Sequence, residues 1–111
     1  MYKKLSIIIP CYNSEETLEE AVLSLNTQKF TTPHEVVIVN DGSTDKTEQL
    51  IISLAKNNSN IKYIAHESNK GGAIAFNTAI ENSTGDVIFC LDSDNVLAPD
   101  TLPRMFVFMN D

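Results

Sequence analysis

Along the chain, short apolar runs alternate with stretches whose apolar residues recur every three or four positions. The runs are residues 5–10 (LSIIIP), 35–40 (EVVIVN), 61–65 (IKYIA) and 86–91 (DVIFCL), and each predicts a strand. Leu18, Ala21, Val22 and Leu25 predict a first helix that ends near Gln28. Thr47, Leu50, Ile51 and Leu54 predict a second, ended by the polar run 57–60. Ala73, Phe76, Asn77 and Ile80 predict a third, with those four residues on one face, and a last helical piece spans about 102–109. Asn13 or Ser14 can cap the first helix, and Asn13 with Glu16 has the spacing of a capping box. Glu15, Glu16, Glu19 and Glu20 lie in its first two turns, where the helix dipole favours anions.

Strand and helix alternate, and the strands are apolar almost throughout. That predicts an α/β fold, a doubly wound and mostly parallel sheet with helices on both faces. Right-handed crossovers leave few topologies, and the expected strand order is 3-2-1-4. No repeat, linker or low-complexity segment interrupts residues 1–111, which read as one domain.

The formal net charge of -7, from 15 acidic and 8 basic residues, argues against a nucleic-acid binder, which needs a basic face. No apolar run approaches the ~20 residues of a membrane span, and residues 5–10 are too short for a signal sequence and lack a cleavage site. The expected location is cytoplasmic, at the inner face of a membrane if parts beyond this chain attach it. Cys11 and Cys90 read as ordinary thiols of a reducing compartment. His34 and His66 are isolated in sequence, and neither has zinc-ligand spacing.

In open α/β sheets, ligands bind outside the carboxyl ends of the strands. Four segments follow the four strands here: Pro10-Cys11-Tyr12-Asn13, Asp41-Gly42-Ser43, the loop 66–72, and Asp92-Ser93-Asp94-Asn95. Each alone has an ordinary reading as turn, cap or loop. Their convergence on one rim raises the functional one. Two carboxylates at the mouth of the fourth strand repel each other, so either a positive partner is expected there or the spot is well solvated. No Gly-x-Gly-x-x-Gly follows the first strand, and no Gly-x-x-x-x-Gly-Lys-Ser/Thr loop exists. An EF-hand fails because Val96 stands at its fifth position and no glycine follows.

The segments "LSIIIPCYNSEETLEEAVLSL", "VVIVNDGSTDKT" and "NKGGAIAFNTAIENSTGDVIFCLDSDN" resemble the opening motifs of family 2 glycosyltransferases, from Leu5 to about Leu102. The resemblance implies the Rossmann-like GT-A fold. It also implies an enzyme that transfers a sugar with inversion from a nucleotide-diphosphate donor, expected to be a UDP-sugar, with Mg²⁺ or Mn²⁺ as cofactor. Asp92-Ser93-Asp94 matches the family's Asp-x-Asp motif. Asp94 is then the candidate direct metal ligand, with Asp92 at the ribose or a metal-bound water. Asp41 matches the acidic residue that accepts a hydrogen bond from the base. Pro10, Tyr12 and Asn13 match the segment around base and ribose, and Lys70 stands where a cation could approach the nucleotide. A divalent metal is then the positive partner of the two carboxylates, since a hard cation takes oxygen ligands from carboxylates and substrate phosphates.

The chain departs from the family at Asn95, where an acid is common, and at Ala79, where a glycine is common. The family's acceptor site and catalytic base should follow Asp94, but only Asp100, ahead of a helix, and the terminal Asp111 remain. The expectation is an incomplete chain, inactive alone, whose acceptor (a glycan, lipid-linked group or protein) is open. An unpaired edge beside the fourth strand would favour self-association. Two rivals stand. Leu91 to Val96 also fits the Asp-x-Asp-x-Val signature of haloacid-dehalogenase-type phosphatases, although only Arg104 and Asp100 follow it as partners. A non-catalytic nucleotide-sugar-binding module is the other.

Overall fold

The computed structural model describes residues 2–29 and 32–110, with side chains up to residue 105. Its elements are β1 (Leu5–Cys11), α1 (Leu18–Leu23) continued by a 3-10 turn (Ser24–Thr27), β2 (His34–Asn40), α2 (Thr47–Asn57), β3 (Ile61–Ala65), α3 (Gly72–Glu81), β4 (Val87–Cys90) and α4 (Thr101–Asn110). The strands form one parallel sheet in the order β3-β2-β1-β4, as the alternation predicts. Among the described residues, no helix is long and apolar enough to cross a membrane.

Alternate residues of the central strands feed two cores, because successive strand side chains point to opposite faces. Leu5, Ile7, Ile9, Val36 and Ile38 pack with Leu18 and Val22 of α1, Ile51 and Leu54 of α2, and Leu102 of α4. Ile8, Val37 and Val39 pack with Ala75 and Ala79 of α3 on the other face. This corrects the expected α3 face. Phe76 and Ile80 recur at helical spacing, yet they remain 38% and 37% exposed. The small side chains of Ala75 and Ala79 let the helix backbone lie close to the sheet, and the larger apolar residues are left at its flanks.

The capping box is also corrected. Asn13 takes a left-handed conformation (φ 49), which an N-cap does not use, and no side-chain cap bond is made at the start of α1. The Ser14 carbonyl instead accepts the N–H groups of Thr17 and Leu18. The Ser24 hydroxyl donates to the Ala21 carbonyl at 2.6 Å where α1 tightens into its 3-10 turn. Buried Gln28 then anchors α4. Its Nε2 donates to Ala98 O (2.8 Å), and its Oε1 accepts the Leu102 N–H (2.9 Å).

At the amino ends of the strands, Glu35 ties three elements together. Its carboxylate accepts the Ser6 hydroxyl at 2.6 Å and the Thr84 backbone N–H at 2.6 Å. Ser6 Oγ in turn accepts the Gly85 N–H at 2.8 Å. A Cβ at residue 85 would lie 2.6 Å from Ser6 Oγ, so this approach needs glycine.

Candidate functional site

The opposite rim, at the carboxyl ends, gathers the four segments. The β2–α2 loop organises them. Asn40 Oδ1 accepts the Ser43 N–H (3.0 Å), which shapes the turn, and Gly42 sits at φ 72. A Cβ on Gly42 would lie 2.4 Å from the Ser68 carbonyl carbon and 2.5 Å from Asn69 N. The loops after β2 and β3 therefore touch backbone to backbone, a contact open only to glycine.

The same loop holds the segment after β1 by successive backbone donors. Asn13 N–H reaches Ser43 Oγ (2.9 Å), Ser14 N–H reaches Thr47 Oγ1 (2.8 Å), and Glu15 N–H reaches Asp45 Oδ2 (3.3 Å). Asn13 Oδ1 accepts the Thr44 N–H in return (2.8 Å). The "NDGSTDKT" run is thus more than a turn and a helix start: it braces the β1 loop.

Asp41, at 3% exposure, is the centre of the rim. Its Oδ1 accepts from His66 Nδ1 (2.8 Å) and Lys70 N–H (2.9 Å), and its Oδ2 accepts from Gly71 N–H (3.0 Å). Burial pushes this carboxyl up, but the bonds from His66, Lys70 and Gly71 outweigh it and hold the group below the usual carboxylate range. A carboxylate has about four acceptor positions. Three are filled, which leaves one on Oδ2.

Asp41 forms part of the wall of a cavity of about 360 Å³, with Pro10, Cys11 and Tyr12 of the β1 end, Asn69, Gly71, Gly72 and Ala75 of the α3 entry, and Ser93. Tyr12 is 46% exposed and supplies an aromatic surface. Burial, with the charges of Asp45 and Asp41, pushes the Cys11 thiol up to about 12, so it stays protonated. On the fourth segment, Asp92 and Asp94 are exposed on either side of Ser93, with the Asn95 N–H closing a turn on Asp92 O (3.0 Å).

The sequence-predicted residues divide accordingly. Pro10, Tyr12 and Asp41 meet at the cavity. Asp92 and Asp94 flank its Ser93 wall. The Asn13 side chain is engaged by Thr44, outside the lining. Lys70 contributes its backbone N–H to Asp41, while its side chain is exposed. Sequence reasoning places Cys11, Ser93 and His66 within the rim segments but assigns none of them a site role. The signal for His66 was its place, directly after the last residue of β3.

Among the described residues, no group of three or more His, Cys, Asp or Glu side chains could hold a metal ion, and no basic side chain pairs with Asp92 or Asp94. Two exposed carboxylates two positions apart, one of them accepting from Asn95 Nδ2 (3.4 Å), nonetheless fit a hard cation that completes its shell with water and phosphate oxygens.

A family model described as "Glycosyl transferase family 2" matches residues 6–111. An "Uncharacterized glycosyltransferase" of Haemophilus influenzae is 36% identical over 105 residues, covering 95% of this chain and 42% of that protein. The poly-beta-1,6-N-acetyl-D-glucosamine synthase of Staphylococcus aureus is 33% identical over 96 residues, covering 86% and 23%. Among solved structures, S. aureus TarS 1-349 in complex with UDP-GlcNAc superposes with a TM-score of 0.86 at 36% identity, over 96% of this chain and 31% of that one. The mannosyltransferase PcManGT from Pyrobaculum calidifontis, in complex with GDP-Man and Mn²⁺, gives 0.88 at 28% identity, over 99% and 33%. The chain spans less than half the length of these curated relatives.

Proposed function

The chain belongs to glycosyl transferase family 2, and on that premise we propose that it forms the donor and metal site of an inverting transferase that uses a UDP-sugar. Family membership sets aside the phosphatase reading of Leu91 to Val96. The observation that carries the proposal is the unfilled acceptor position of Asp41 Oδ2 beside a cavity that Ser93 also lines, Ser93 standing between two carboxylates that have no basic partner among the described residues.

A nucleobase with an N–H edge fills that cavity, donating to Asp41 and lying against Tyr12 and Pro10. The diphosphate then extends toward Asp92 and Asp94. Asp94 would be the direct ligand of Mg²⁺ or Mn²⁺, and Asp92 would hold the ribose or a water of that ion. A divalent ion there would neutralise the diphosphate and the charge that grows on it as the sugar leaves. The acceptor hydroxyl attacks the anomeric carbon in line, the bond to the diphosphate breaks, and a base takes the hydroxyl proton. On this reading residues 1–111 supply the donor and metal site, and none of them is assigned as that base or as the acceptor surface. The UDP and UDP-GlcNAc complexes of TarS and the GDP-Man complex of PcManGT support a nucleotide-sugar donor.

Calorimetric titration of the chain with UDP tests the proposal. Binding is expected with Mn²⁺ and is weakened by EDTA. No binding in either condition overturns the donor site, and equal binding in both overturns the metal role.

A further inference from the structure

His66 is the residue on this rim to which neither its motif nor the donor reading gives a task. It leaves β3 with its backbone N–H on Asn40 O (2.9 Å), and its imidazole is 9% exposed. Nδ1 lies 2.8 Å from Asp41 Oδ1, and Nε2 lies 3.0 Å from Thr78 Oγ1, one turn into α3 from the cavity residue Ala75. The Thr78 hydroxyl donates to Ile74 O at 2.9 Å, which fixes it on the helix. One ring therefore joins the end of β2, the end of β3 and the body of α3. His66 also lines a second cavity of about 280 Å³, with Glu48 and Glu67 on its wall.

The arrangement decides how Asp41 can be read. An ionised carboxylate only accepts hydrogen bonds. Its Oδ1 is filled by His66 and the Lys70 amide, so the group cannot turn without breaking a charge-assisted bond. One acceptor position remains on Oδ2, and Asp41 lines the cavity. We infer that His66 is a positioning residue for donor recognition: it fixes Asp41 as an ionised, single-position acceptor, which admits bases that present an N–H there, such as uracil, and rejects cytosine, whose matching ring nitrogen is itself an acceptor. The inference rests on the donor reading above. His66 acts through Asp41 and touches no reacting atom.

The experiment measures UDP and CDP affinities, with Mn²⁺ present, for the unchanged chain and for His66→Phe and His66→Asn. His66→Phe keeps a ring but loses both polar contacts. His66→Asn places an amide N–H near the position of Nδ1. The unchanged chain prefers UDP, His66→Phe weakens UDP binding about tenfold and narrows the UDP/CDP ratio, and His66→Asn restores most of both, as the strength of a hydrogen bond to a charged group leads one to expect. A merely structural role would lower both affinities together and leave the ratio unmoved. Tight UDP binding with an unchanged ratio in His66→Phe overturns the inference and leaves the donor reading standing. No UDP binding by the unchanged chain overturns both. If His66→Phe does not fold, the Hδ1 proton resonance of His66 in the unchanged chain serves instead. It shifts when UDP is added and less when CDP is added, and a resonance indifferent to UDP overturns the inference.

Discussion

The hydroxyls of Ser14 and Ser93, 79 positions apart in sequence, meet at 2.9 Å. The contact joins the β1 loop, which carries Tyr12, to the loop that carries Asp92 and Asp94. On the proposed donor reading, that contact sets the spacing between the base cavity and the carboxylates that meet the diphosphate. Ser93→Ala removes it without touching a carboxylate. One neutral hydrogen bond is worth about 0.5–1.5 kcal/mol, so UDP affinity with Mn²⁺ should fall roughly two- to tenfold while uridine affinity holds. Paired calorimetric titrations decide. Equal losses for uridine and UDP would mean that the serine supports the base cavity rather than the register of the two loops.

Asp41 and Asp94 are expected to fail differently when each is changed to Asn. Asp41→Asn replaces an acceptor that satisfies three protein donors with an amide that must turn an N–H toward one of them. It should weaken uridine and UDP alike, by tenfold or more, given the cost of unpairing buried polar groups. Asp94→Asn removes an exposed charge. It should abolish the gain in UDP affinity on adding Mn²⁺ and leave uridine unchanged. Competition by uridine and by UDP against a fluorescent donor analogue separates the two, and indistinguishable profiles would end the division of roles.

The sheet was legible because its signals are local and redundant. Four apolar runs, each closed by turn chemistry, leave few topologies, and the expected order 3-2-1-4 is the observed β3-β2-β1-β4. The α3 face was misread because Phe76 and Ile80 imitate a core stripe, whereas the packed positions, Ala75 and Ala79, are marked by small size. Asn13 was misread for a related reason. Asn-x-x-Glu is the spacing of a cap, but a partner 31 residues away, Thr44, claims the Asn13 side chain. The site followed the same division. Asp41 and the Asp92–Asp94 pair follow strand ends and could be found by position. The His66–Asp41–Gly71 web is built from contacts across the fold that no spacing encodes.

Gly42→Ala should be among the most damaging single changes. The residue sits at φ 72, where a side chain costs about 1–2 kcal/mol. Its Cβ would also meet backbone atoms of Ser68 and Asn69 at 2.4–2.8 Å, and backbone yields only if the β3–α3 loop moves. A combined cost of at least ~2 kcal/mol lowers Tm by roughly 8 °C or more in a domain of this size. Gly72→Ala is the control. Nothing lies within 4 Å of its Cβ, and it starts α3, so it should leave Tm unchanged or slightly raised. Thermal melts of both variants test this, and similar melts would show that the Gly42 contact relaxes freely.

Glu35 should make stability depend on pH in acid. Burial pushes its carboxyl up, but the Ser6 hydroxyl, the Thr84 amide and hydroxyl and the Lys4 charge outweigh that and bring it from 4.5 to about 2. The folded value lies below the unfolded one. The ionised form therefore stabilises the fold fully above about pH 4.5, and that contribution disappears as pH falls from about 4.5 to about 2. The shift corresponds to about 3 kcal/mol at most. Solvent screening at the sheet end, where Lys62 approaches to 3.7 Å, brings it nearer 1–2 kcal/mol. Glu35→Gln keeps the size and removes the charge. Urea unfolding at pH 7 should find the variant less stable by about 1–2 kcal/mol, and the gap should close progressively between pH 4.5 and pH 2.5. Every other acidic group is common to both proteins and cancels in the difference. A gap of constant size across that range would mean that the geometry of the amide, rather than the lost charge, sets the cost.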